Sequence, residues 1–71
     1  MSTQSPLQRQ RLRAGLSKAE LARRAGVDET TVTRAENGQR VQAHKASMIA
    51  QAISQALGEE LSIEDLGIVT M

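Results

Sequence analysis

Between residues 43 and 57 the apolar positions recur at spacings of three and four: Ala46, Ile49, Ala50, Ile53, Ala56 and Leu57. That period puts them on one stripe of a helix, so the segment reads as the longest helix of the chain. Shorter helices are read from their start signals, where a side-chain oxygen satisfies backbone N–H groups that lack an intrahelical partner. Ser5-Pro6-Leu7-Gln8 offers a Ser cap, Pro at the first helical position and Gln three residues after the cap, predicting a helix from about 6 to 14 that stops at Gly15. Ser17-Lys18-Ala19-Glu20 is a second capping box, and its helix ends at Gly26. Asp28 opens a third that runs to about Glu36 and breaks at Asn37-Gly38. Ser62-Ile63-Glu64-Asp65 predicts a short fifth. No stretch of four or more residues alternates with period two and β-branched enrichment, and no internal repeat is visible, so the expected fold class is all-α without strands.

Seventy-one residues hold one domain at most. With no Phe, Tyr or Trp, the core must be built from Leu, Ile, Val, Ala and Met. A core that small makes burial against a second copy a natural source of stability. There is no Cys and only one His, His44, so disulfides, thiolate metal sites and a zinc cluster are excluded and few routes remain to activate a nucleophile. His44 reads as solvent-facing or phosphate-contacting rather than as a ligand. No enzyme activity, cofactor, metal or small-molecule ligand is expected. The N-terminus Met1-Ser2-Thr3-Gln4 lacks the charged and apolar regions of a signal peptide and no apolar run is long, which points to the cytoplasm and to no membrane partner.

Charge is distributed unevenly. All nine Lys and Arg residues fall in 1–45 beside four acids, for a net +5, whereas 46–71 hold the other four acids and no Lys or Arg, for a net −4. This suits a basic face for a polyanion with the acidic end held away from it. Leu21, Ala22, Gly26, Val27, Val32 and Ala35 form one apolar surface across the turn joining helices 2 and 3. On its other side helix 3 carries Glu29, Thr30, Thr33 and Arg34, a short polar face. An ordinary αα corner would permit the same turn.

The stretch Arg11 to Gly38, with Gly-Leu-Ser before helix 2, Ala-Glu-Leu-Ala within it, Gly-Val-Asp in the turn and Glu-Asn-Gly after helix 3, resembles the helix-turn-helix family of phage Cro proteins and repressors, the XRE family. The resemblance covers roughly residues 6–67. It implies a compact five-helix, lambda-repressor-like DNA-binding domain whose third helix enters the major groove of double-stranded operator DNA, usually as a homodimer. By that likeness Glu29, Thr30, Thr33 and Arg34 are the base readers, with Arg34 suited to guanine O6 and N7, and Glu29 either accepting from cytosine N4 or complementing its own helix terminus. Lys18, Asn37, Gln39 and Arg40 match backbone-phosphate contacts. Arg11 and Glu36 match a partly buried ion pair tying helix 1 to the end of helix 3. Arg9, Arg13 and Lys45 are long-range contributors, and Arg23 and Arg24 compensate the end of helix 2.

The chain departs from the family pattern in its nineteen residues between Gly38 and Gly58, about three more than usual, and in Ala43 where Pro often opens helix 4. Gln10 and Ala35 stand where larger apolar residues are common. The expected organisation is a flexible segment 1–5, the DNA-binding domain 6–67 and an apolar tail 68–71 that either contacts a second copy or finishes the domain's own core. The function that follows is a transcriptional regulator, in the first place a repressor on a palindromic operator. The alternative is a protein-binding module of antitoxin-like or anti-regulator type, for which the acidic, apolar C-terminal third would serve.

Overall fold

The computed structural model describes residues 4–71, in which four helices pack around one core: α1 (Pro6–Arg13), α2 (Lys18–Ala25), α3 (Glu29–Glu36) and α4 (Ala43–Leu57). Each of the first three opens on the cap its sequence advertises. The Ser5 hydroxyl accepts from Gln8 N at 3.2 Å with Pro6 at the first helical position. Ser17 and Glu20 satisfy one another's backbone N–H groups, both at 3.0 Å. Asp28 Oδ1 accepts from Thr31 N at 3.1 Å. α4 starts at Gln42 without a side-chain cap, so its stability comes from packing its apolar stripe rather than from its terminus. The segment 1–5, expected to be flexible, is described only from Gln4 onward; residues 1–3 lie outside the described residues.

Leu7, Leu21, Val32, Ile49, Ile53 and Leu66 are the largest fully buried side chains. Ala22, Ala25, Ala35, Ala46, Ala50 and Ala52 are buried among them, and these small residues let the helices close without aromatic filler. α2 sits against both α3 and α4, so the helix that supports α3 is itself braced by the longest element. Gly26, at φ +76°, ends α2 in the left-handed region. A Cβ there would meet only the flexible end of Met48, 3.2 Å from Cε, so it is the left-handed backbone of the turn that calls for glycine.

The expected fifth helix is absent among the described residues. Its cap does form, with Ser62 N donating to Asp65 Oδ2 at 2.9 Å and Asp65 N to Ser62 Oγ at 3.1 Å. Only a turn follows. Leu66 N reaches the carbonyls of Ser62 and Ile63 at 3.2 Å, and Ile68 N then returns to the Ile63 carbonyl at 3.2 Å. Gly67, at φ +66°, takes the chain into the left-handed region before a second turn can add hydrogen bonds. One turn cannot repay helix nucleation, so this capping box initiates a turn and no more. After it Leu66 and Ile68 enter the domain's own core, while Val69 and Met71 stay exposed. The tail then runs beside the α3–α4 loop and makes one isolated parallel bridge, Val41 with Thr70.

Candidate nucleic-acid interface

α3 divides its residues sharply between two environments. Thr31, Val32, Ala35 and Glu36 are buried, whereas Glu29, Thr30 and Arg34 are exposed and Thr33 is half-buried. Val32 and Ala35 therefore hold the helix to the body while the polar residues lie outward, as the 3.6-residue period requires of a helix anchored on one side. At the beginning of α2, Lys18 is half-buried; after α3, Asn37, Gln39 and Arg40 are all exposed. Gln39 N donates to the Arg34 carbonyl at 2.9 Å, so the chain leaving α3 stays bonded to its last turn. Arg23 and Arg24 are exposed at the end of α2.

Behind this surface lies the buried Arg11–Glu36 pair. Arg11 Nε donates to Glu36 Oε2 at 2.6 Å, Nη2 makes a longer bond of 3.5 Å to Oε1, and Nη1 donates to the Leu16 carbonyl at 2.9 Å. Arg11 and Glu36 are only 7% and 8% exposed, and no buried side-chain N or O among the described residues lacks a partner. A desolvated pair is tolerable when its remaining donors are also satisfied, and the Leu16 carbonyl supplies that third bond. The effect is to fix the end of α3 against α1 and the α1–α2 connection.

Two features of the site have weaker local signals. Thr31, one residue from the exposed Thr30, is buried and donates from both its backbone N and its Oγ1 to Asp28 Oδ1, which ties the start of α3 at two points. The Asp-x-x-Thr spacing was the available clue. Arg13 and Glu59 form an exposed ion pair between the end of α1 and the chain beyond α4. Nothing nearby in sequence announces that contact.

The three carboxylates that cap helices or turns are all held below the ordinary carboxylate range. For Asp28 the causes are the Thr31 hydroxyl, then the Thr31 backbone N–H; for Glu20, the backbone and side-chain hydrogen bonds with Ser17; for Asp65, those with Ser62. A carboxyl whose folded pKa is depressed contributes stability at pH values above its unfolded pKa and loses it as pH falls through the folded value. The urea midpoint is therefore expected to be flat above about pH 5 and to decline on further acidification, with Asp28→Asn showing a shallower decline than the parent. A midpoint unchanged between pH 6 and pH 3 would refute this role for the caps.

No helix among the described residues is long and apolar enough to cross a membrane. No curated protein and no solved structure matches the chain. A family model described as a helix-turn-helix domain matches residues 6–62, which spans α1 to α4 and includes both helices of the α2–α3 corner together with the exposed face of α3. On that match, in keeping with its XRE-type resemblance, the chain belongs to the helix-turn-helix domain family.

Proposed function

We propose that this protein is a sequence-specific, double-stranded-DNA-binding transcriptional regulator, a repressor that occupies a palindromic operator as a homodimer in the cytoplasm and performs no catalysis. The observation that carries this reading is the division of α3, whose Val32 and Ala35 are gripped by the body while Glu29, Thr30 and Arg34 face outward. A helix presented this way fits the major groove, where side chains near its start reach base edges. Arg34 is the main specificity determinant through a paired contact to guanine. Thr30 and Thr33 meet a thymine methyl or a phosphate, and Glu29 accepts from cytosine N4. Lys18, Asn37, Gln39 and Arg40 grip the phosphates on either side. Arg11 and Glu36 stay inside and hold α3 at its angle.

One domain touches too few base pairs for strong selectivity, whereas two copies on half-sites about one helical turn apart combine their energies. Fragments selected from a random duplex pool are expected to be palindromic and to carry two protein copies by sedimentation. On the selected duplex Arg34→Ala should lose about 1–3 kcal/mol of binding, with much less lost on a scrambled duplex. Equal losses on both duplexes would remove Arg34 from base reading. Weak binding to every duplex, without a salt dependence, would remove DNA as the target.

A further inference from the structure

Arg34, Arg40 and Lys45 come together around a cleft of about 130 Å³ at the junction of α3 and α4, with Gln42 adding an amide to its wall. No Asp or Glu side chain lines it, and the terminal carboxylate of Met71 makes no ion pair with Arg34, Arg40 or Lys45. The ion pairs among the described residues are Arg11–Glu36 and Arg13–Glu59, so none of these three cations has a partner. Asp28 is near enough for Lys45 to favour its charged form, yet the two make no ion pair. Cations gathered at a concavity repel one another, and an anion seated between them offsets that repulsion. The α3–α4 loop does not hold this arrangement alone. Val41, buried near its end, donates from N to the Val69 carbonyl at 2.9 Å and accepts at its carbonyl from Met71 N at 3.0 Å. Both backbone groups of Val41 are thus taken by the C-terminal tail, and Met71 forms part of the cleft wall.

We infer that residues 69–71 are positioning residues of the DNA-binding surface: by pairing with Val41 they hold Arg40 beside Lys45 and Arg34, so that the cleft seats one phosphodiester of the duplex backbone. This rests on the DNA-binding reading above and extends it to Lys45 and to a tail that touches no base. A phosphodiester carries one negative charge on two non-bridging oxygens, a match for Lys45 and Arg40 with the Gln42 amide as a neutral donor. The tail contributes by removing freedom from the loop before DNA arrives, so less ordering is needed on binding.

The test compares the full chain, a chain ending at Ile68, and Lys45→Ala, each titrated against the selected duplex and a scrambled one over a range of KCl concentrations. Both variants are expected to lose about tenfold in affinity on both duplexes alike, and the slope of log affinity against log salt should shrink by about one. Because the tail acts through the cleft, shortening the chain in the Lys45→Ala background should add little to the loss. Should the shortened chain lose its fold, removal of Met71 alone, an exposed residue supplying one of the two bonds, enters the same cycle and is expected to show the same non-additivity. Full additivity, or an unchanged salt slope in both variants, would overturn the inference. If Arg34→Ala still relaxes selectivity in that case, the DNA reading stands without it. A full chain that binds neither duplex would overturn both.

Discussion

Arg11→Ala is expected to cost about 3–5 kcal/mol of folding stability, the largest effect of any polar substitution in this protein. The cost comes from what is left behind. Glu36, 8% exposed, would be left in a poorly solvated site with no cation to answer it, and the Leu16 carbonyl would lose its donor as well. A chain of this size has a total stability of roughly 4–10 kcal/mol, so the variant should sit close to its unfolding midpoint at room temperature. Glu36→Ala should be similarly damaging, since it strands a guanidinium. The double variant Arg11→Met/Glu36→Leu, which removes both charges and keeps the volume, should recover most of the loss. Urea unfolding of the parent and the three variants measures these losses and the recovery. If Arg11→Ala loses less than about 1 kcal/mol, the pair behaves as a solvated surface bridge and cannot be what fixes the angle of α3.

Leu66→Ala is expected to cost about 2–5 kcal/mol, the range for emptying a well-packed leucine site. This side chain is fully buried even though its segment is a turn and not a helix. The control is Leu12→Ala on α1: Leu12 is 49% exposed, and its truncation should change stability by no more than about half a kilocalorie per mole. A small effect at Leu66 would mean that the core closes without residues beyond α4. A large one would establish that the chain past Gly58 is part of the folding unit, with Leu66 and Ile68 completing the apolar interior while Val69 and Met71 stay exposed. Denaturant midpoints measured with the two variants side by side settle the comparison.

The legible parts of the fold are those governed by neighbours in the chain. Ser5, Ser17 and Asp28 cap α1, α2 and α3, and α4 spans 43–57 as its apolar stripe indicates. A cap bond closes over three residues and a helical stripe repeats every three or four, so both leave their record in a short window. The outward face of α3 was legible for the same reason: burial of Val32 and Ala35 dictates where Thr30 and Arg34 lie. The fifth helix shows the limit of that logic. Ser62 and Asp65 do satisfy one another's N–H groups, but Gly67 and the requirement to bury Leu66 and Ile68 decide that no helix follows. Thr31, to which the helical period assigned no role, is buried with its hydroxyl bonded to Asp28.

From its residues alone the chain is committed to the helices α1 to α4, though not to the absence of a fifth, to glycine at the α2–α3 turn and to a basic first part followed by an acidic remainder, because capping, periodicity and charge are properties of adjacent positions. Tertiary packing decided which residues beyond α4 enter the core, that Arg11 finds Glu36 twenty-five positions away, and that the tail meets Val41 beside three unpaired cations. Those outcomes depend on contacts between distant segments, where the free energy of closing the core outweighs what any short stretch prefers by itself.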